Sequence, residues 1–215
     1  MGQKVNPLGF RLGVTQKNYS VWFAQNRDYS KTLQEDVKIH QNIEKFFQKQ
    51  RKHSYLGIAQ IEIQRKVNLI NVIIYTGFSS LLNNEKGDFS KLKNKIRQSL
   101  GPINKKLNIN VGILSKPYQN AKILAEYIAQ QLENRVAVKK ILKKAVELAQ
   151  KEDIEGIRIQ IAGRLGGRER TRKTKIKIGR VTLQTLRAEM DYCSYTVRTI
   201  HGTLGILLWI FMKEQ

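Results

Sequence analysis

The chain has 215 residues, 41% of them hydrophobic, enough for one large domain or two small ones with a true core. Its 39 Lys and Arg against 17 Asp and Glu leave a net charge of +22, so the compact chain repels itself and a polyanionic partner belongs to its working state. No membrane is expected as that partner, because the longest apolar run, Leu204 to Met212, is far short of the roughly 20 residues that span a bilayer.

Residues 1 to 30 lack periodicity and mix Gly2, Pro7, Gly9 and Gly13 with Lys4, Arg11, Lys17 and Arg27. They read as an extended arm docked by Phe10, Trp22 and Phe23. From Lys31 to Lys49, Leu33, Val37, Ile39, Ile43, Phe46 and Phe47 follow helical spacing. Two strands are expected next, Gly57 to Arg65 with Ala59, Ile61 and Ile63 on one face, then Asn68 to Tyr75 with Ile70, Val72 and Ile74, joined by a tight turn at Val67-Asn68. A connection from Gly77 to Gly87 leads to Phe89, Leu92, Ile96 and Leu100 at helical spacing, stopped by Gly101-Pro102. Leu107, Ile109, Val111 and Ile113 then alternate with polar or small neighbours, the clearest strand signal in the chain. This half therefore runs helix, strand, strand, helix, strand, and Lys116-Pro117 forms a hinge.

The second half opens with helical pattern from Ala121 to about Gln150, read as two helices broken near Asn134. Asp153 to Ile161 leads into a strand with Ile157, Ile159 and Ile161 inward and Arg158 and Gln160 outward. Further strands are expected over Thr185 to Tyr195 and Gly205 to Phe211. The fold class is α+β, two helices packed on one face of an antiparallel sheet.

Two constellations carry charge on this scaffold. Residues 163 to 187 hold Arg164, Arg168, Arg170, Arg172, Lys173, Lys175, Lys177, Arg180 and Arg187 against a single acid, Glu169. Gly163, Gly166 and Gly167 let the backbone turn tightly where the strand ends. The block reads as a loop between strands that docks on a shaped polyanion. Upstream, at 100° per residue, Lys139, Lys140, Lys143 and Lys144 span about 0 to 140° of a helix, with Val138, Ile141, Leu142, Ala145, Leu148 and Ala149 on the other side. No acid interleaves with the four lysines; Glu147 is the only one nearby. A solvated helix face relieves such like-charge repulsion with acids, whereas a phosphate backbone rewards it.

Other chemistry is poorly represented. Gly163-Arg164-Leu165-Gly166-Gly167 matches neither a phosphate loop nor a dinucleotide fingerprint. His40, His53 and His201 are scattered, without metal-ligand spacing. Cys193 is alone, so there is no disulfide framework and the thiol reads as buried and inert. Glu35-Asp36 and Glu152-Asp153 lie near expected helix ends, where capping and dipole effects account for them. No catalytic set, cofactor or metal is expected, and no enzyme.

Met1-Gly2-Gln3-Lys4-Val5-Asn6-Pro7-Leu8-Gly9-Phe10-Arg11-Leu12-Gly13, Leu132-Glu133-Asn134-Arg135-Val136, the Gly163 to Gly167 motif, Gly179-Arg180-Val181, Leu186 to Tyr192, Gly202-Thr203-Leu204-Gly205 and Trp209-Ile210-Phe211 occur in order along the chain. Together they closely resemble the bacterial-type ribosomal protein S-three family. Val21-Trp22-Phe23-Ala24-Gln25, Leu33-Gln34-Glu35-Asp36 and Asp191 to Ile200 look most like its plastid versions, which are made inside the organelle and need no transit peptide.

The resemblance implies an N-terminal type II K-homology domain over 31–116, after an arm over 1–30, and a C-terminal ribosomal α+β domain over 117–215. It implies a place in the head of the small subunit, in plastid stroma, with small-subunit ribosomal RNA, messenger RNA and neighbouring head proteins as partners. It assigns Lys139, Lys140 and Lys143 to the channel through which messenger enters, with Lys144 beside them on the same face. Lys4, Arg11, Arg164, Arg168, Arg170, Arg172, Lys173, Lys175, Arg180 and Arg187 are expected to bind ribosomal RNA. A K-homology domain grips RNA with a Gly-x-x-Gly loop. Here Asn84, Glu85, Lys86 and Gly87 occupy that place, and the missing first glycine and added acid imply that the grip is largely lost. A free-standing RNA-binding regulator or a nucleic-acid-processing enzyme is the alternative; the first must be stable without a ribosome, and the second needs an acid cluster or a pocketed lysine.

Overall fold

The structure, a computed structural model, describes residues 4–50, 57–66, 69–77, 86–100 and 106–214. The chain forms two units: Tyr19–Ser115, and Met1–Asn18 together with Lys116–Gln215. The N-terminal segment, with its short helix α1 (Pro7–Arg11), thus belongs with the C-terminal half.

The first unit runs β1 (Ser20–Val21), α2 (Asn26–Gln50), β2 (Ile58–Lys66), β3 (Leu69–Thr76), α3 (Lys86–Leu100) and β4 (Lys106–Ile113). Its sheet order is β1-β2-β3-β4, antiparallel between β2 and β3 and parallel at both outer pairings. Ile39, Ile43 and Phe47 of α2 recur every fourth residue and, with Leu92 and Ile96 of α3, cover the inward face formed by Ile61, Ile63, Ile70, Val72 and Ile74. The Val67-Asn68 turn lies outside the described residues.

Two expectations fail here for one reason. The helix starts at Asn26, inside the expected arm, and Leu33 and Val37 stay exposed. Asp36 is buried in their stead. It accepts Trp22 Nε1–H at 2.6 Å and the Arg65 guanidinium, which also reaches Glu35. Glu35 and Asp36 therefore sit mid-helix, cross-linking helix, sheet and Trp22, and do not serve as caps. Trp22 docks this segment; Phe23 is exposed, and Phe10, in the other unit, is nearly half-exposed.

The second unit continues through α4 (Ala121–Glu133), α5 (Val138–Gln150), β5 (Gly156–Gly163), β6 (Arg172–Gly179), β7 (Ala188–Thr199) and β8 (Gly202–Glu214). The sheet is antiparallel throughout, ordered β6-β5-β8-β7. Asn120 caps α4, its side chain accepting from the N–H groups of Lys122 and Ile123. Leu124, Ile128, Leu142 and Ala145 from the two helices pack on Ile157, Ile159, Ile161, Ile206, Leu208 and Ile210 of the sheet, each large side chain contributing about 2 kcal/mol by burial. This is the α+β layering expected from sequence. β5 begins at Gly156, after a turn in which Asp153 takes a left-handed φ of 57°.

Residues 163–187 do not form one loop. A turn ends at about Thr171, β6 follows, and residues 180–187 form a separate connection. β6 is an edge strand bonded to β5 alone. Its register sets Ile176 opposite Ile159 and Lys175 opposite Gln160, so Lys173, Lys175 and Lys177 share the outer face. Lysines on an edge also discourage pairing with another chain.

Candidate nucleic-acid interface

Helix α5 presents four exposed lysines within six residues. Ile141, Leu142, Ala145, Val146 and Ala149 are buried against the sheet, while Lys139, Lys140, Lys143 and Lys144 are all exposed. Arg65 pairs with Glu35 and Asp36, and Lys116 with Asp153, whereas none of these four lysines is in an ion pair among the described residues. The helix opens at Ala137 without a side-chain cap and has no acid in its first turn. Its dipole and its lysines thus add up to positive potential at the N-terminal end. Glu147 corrects the reading of an acid-free face. One turn beyond Lys143 it projects at about 80° on the lysine side and is exposed, so the face is purely basic for two turns and then closes with an acid.

The turn before β6 depends on its glycines. Gly163 has φ of 140°, and a Cβ there would lie 2.6 Å from Leu204 Cδ2; Gly167, at φ 75°, would meet the His201 ring at 3.0 Å. Arg164 is anchored by that turn, donating to the carbonyls of Arg168 and His201. Arg168, Arg170, Arg172, Lys173, Lys175, Arg180 and Arg187 are exposed, as is Lys4. On the outer sheet face the Arg158 guanidinium lies 4.9 Å from the Trp209 ring centre.

Arg11 is the exception among the expected RNA ligands. It is fully buried, and its guanidinium donates to the carbonyls of Pro7, Leu183, Thr185 and Ala188. Its donors are used inside the protein, where it ties α1 to the 180–187 connection, so no phosphate can reach it. Asn84 and Glu85 lie outside the described residues, and the backbone of Lys86 and Gly87 opens α3.

The sequence pattern assigned no RNA-binding role to Arg135, Arg198 or His201. These, with Arg164, rim a cavity of about 400 Å3 whose floor is Leu132, Val136 and Leu204. Arg135 is held at φ 59°. It closes α4 in a Schellman turn, its N–H donating to the Leu132 carbonyl and that of Val136 to the Gln131 carbonyl. Glycine is the usual residue there, and an arginine costs about 1 kcal/mol. Asn134-Arg135 at the helix break was the available signal.

Remaining ionisable groups are structural. Glu152 accepts the N–H of Gln119 at 2.8 Å and Asp153 pairs with Lys116 at 2.8 Å. Both hold the segment entering α4, the Lys116 pair pulling Asp153 below the usual carboxylate range. Burial raises Asp191, which accepts from Ala121 N–H at 2.6 Å. Burial and then the Asp191 charge push the Cys193 thiol up to about 11. Among the described residues no group of three His, Cys, Asp or Glu is placed to hold a metal, and no helix is long and apolar enough to cross a membrane.

An α+β scaffold presenting exposed lysines and arginines, with its buried ionisable groups committed to structure, defines a nucleic-acid-binding protein. The family model "Ribosomal protein S3, C-terminal domain" matches residues 128–210. Small ribosomal subunit protein uS3c of Ranunculus macranthus is 52% identical over 217 residues, covering all of both chains, and that of Daucus carota is 52% identical over 218 with the same coverage. The chain belongs to the family of small ribosomal subunit protein uS3, plastid type, and is a ribosomal protein rather than an enzyme.

Proposed function

We propose that the chain is a structural constituent of the small ribosomal subunit of plastids, bound to ribosomal RNA in the subunit head beside neighbouring head proteins. In this reading the first unit is a type II K-homology domain with a degenerate RNA loop; its helix, strand, strand, helix, strand order and mixed four-stranded sheet support that assignment. The outer lysines of β6 and the arginines of the preceding turn dock on ribosomal RNA phosphates, and the lysine face of α5 lines the path of incoming messenger.

The observation that carries the reading is the four exposed lysines on two turns of a helix whose other face is core. Ammonium groups at that density hold a moving phosphate backbone without reading its bases. Subunits carrying Lys139→Ala, Lys140→Ala and Lys143→Ala together should assemble at normal yield and translate unstructured messenger normally, yet slow on a messenger with a stable hairpin ahead of the decoded codons. Equal rates on both messengers would refute the channel role.

A further inference from the structure

The cavity between the end of α4, the turn after β5 and the β7–β8 hairpin has a composition that the lysine face of α5 does not share. Its floor is aliphatic and its rim carries three guanidinium groups and an imidazole, with one carboxylate, Glu133, among the lining side chains. We propose that it binds a single unstacked RNA nucleotide, the base lying on Leu132, Val136 and Leu204 and the adjoining phosphate meeting Arg135, Arg164 and Arg198. The proposal rests on the RNA-binding reading above and adds a base-receiving site to it.

Three features favour this occupant. First, a cavity of about 400 Å3 lies in the range of small-molecule pockets, whereas a backbone track needs only an open groove. Second, planar guanidinium and imidazole groups stack on base faces and fork onto phosphate, which ammonium groups cannot do. Third, the rim is built. Arg164 is fixed by bonds to the Arg168 and His201 carbonyls, and Arg135 occupies a left-handed position where glycine fits better. Glu133 supplies an acceptor for a base amine, so cytosine, adenine and guanine are preferred over uracil. An acidic peptide would match the rim but leave the aliphatic floor uncovered and meet Glu133 unfavourably.

Short-wave ultraviolet crosslinking of intact ribosomes, followed by mass spectrometry of peptide–nucleotide adducts, tests this. Adducts are expected on residues 198–204 or 131–138, in addition to any on the α5 lysines. His201→Ala and Arg198→Glu, both at exposed positions, should each cut the cavity adducts roughly tenfold, the scale of one lost base contact for His201 and of one lost charge-assisted phosphate contact for Arg198, while adducts on α5 persist. Lys151→Glu, exposed beyond the end of α5, is the charge control and should leave them unchanged. Isotope-labelled messenger on unlabelled subunits, and the reverse, identifies which RNA supplies the nucleotide. Adducts on α5 but none at the cavity, adducts indifferent to both variants, or a neighbouring protein's peptide crosslinked there would overturn the proposal. Absence of RNA adducts anywhere on the chain would instead overturn the RNA-binding reading.

Discussion

Arg11 Nε donates to the carbonyl oxygen of Ala188 at 2.8 Å, closing a separation of 177 residues. The same guanidinium satisfies the carbonyls of Leu183 and Thr185, so one side chain holds the whole connection between β6 and β7 against α1. Removing it orphans several buried carbonyls at once. Arg11→Ala should lower unfolding free energy by about 3 kcal/mol, and Arg11→Lys should recover only part of it, since an ammonium cannot reproduce the planar fork. Chemical denaturation of the purified chain checks this. At salt where the wild type and Arg11→Ala are both folded, their RNA affinities should match within twofold.

Positive charge on α5 works against the helix that carries it. Lys139 and Lys143 are one turn apart at an uncapped N-terminus with no acid in the first turn, an arrangement both like-charge repulsion and the helix dipole disfavour. Lys139→Glu reverses both effects. It should raise the melting temperature by roughly 1–2 °C while weakening single-stranded RNA binding and flattening its dependence on log salt by about 0.7. Opposite signs for stability and binding are the informative outcome. A variant that melted lower would show that Lys139 holds the fold as well as RNA.

Elements with strong apolar periodicity were legible from sequence because burial itself creates the period. Ile70, Val72 and Ile74 are inward and buried, as are Ile157, Ile159 and Ile161. The lysine face of α5 was legible for the same reason, since its complement is core. β6 was not, because its inner side is only half-buried, at Thr174 and Ile176, and the lysines of its outer side mask the short alternation. Arg11 looked like one more surface cation; its burial depends on carbonyls more than 170 residues away, which no local pattern encodes. The cavity rim is likewise assembled from three separate stretches of chain.

Gly156 stands opposite Gly179 where β5 begins and β6 ends, and the pair exists for lack of room. A Cβ on Gly156 would lie 1.9 Å from the Arg180 carbonyl oxygen, and one on Gly179 2.1 Å from that of Glu155. These contacts are with backbone, so no side-chain rotation relieves them. Gly156→Ala should cost about 3 kcal/mol and free the end of the lysine-bearing edge strand, seen as faster amide exchange in β6. Gly166→Ala, where φ is 67° but nothing lies within 4 Å, should cost only about 1 kcal/mol.

Cys193 and Asp191 form a coupled pair on β7. Asp191 is raised chiefly by burial, despite accepting the Ala121 and Tyr192 N–H groups. A carboxyl raised in the folded state gives stability that is full below its unfolded pKa and falls as pH climbs through the folded one. Asp191→Asn should therefore flatten the loss of stability seen as pH rises from about 4. For Cys193, raised to about 11, the same sign places its stability loss above the ordinary thiol range, so the folded protein keeps a protonated thiol at pH 8. Alkylation by iodoacetamide at pH 8 should be at least tenfold slower in the folded chain than in denaturant. Because the Asp191 charge is the second cause of the raised thiol pKa, Asp191→Asn should speed alkylation of the folded chain without changing its melting cooperativity. Equal rates for folded and denatured chains would place the thiol in solvent and contradict its position beneath α4.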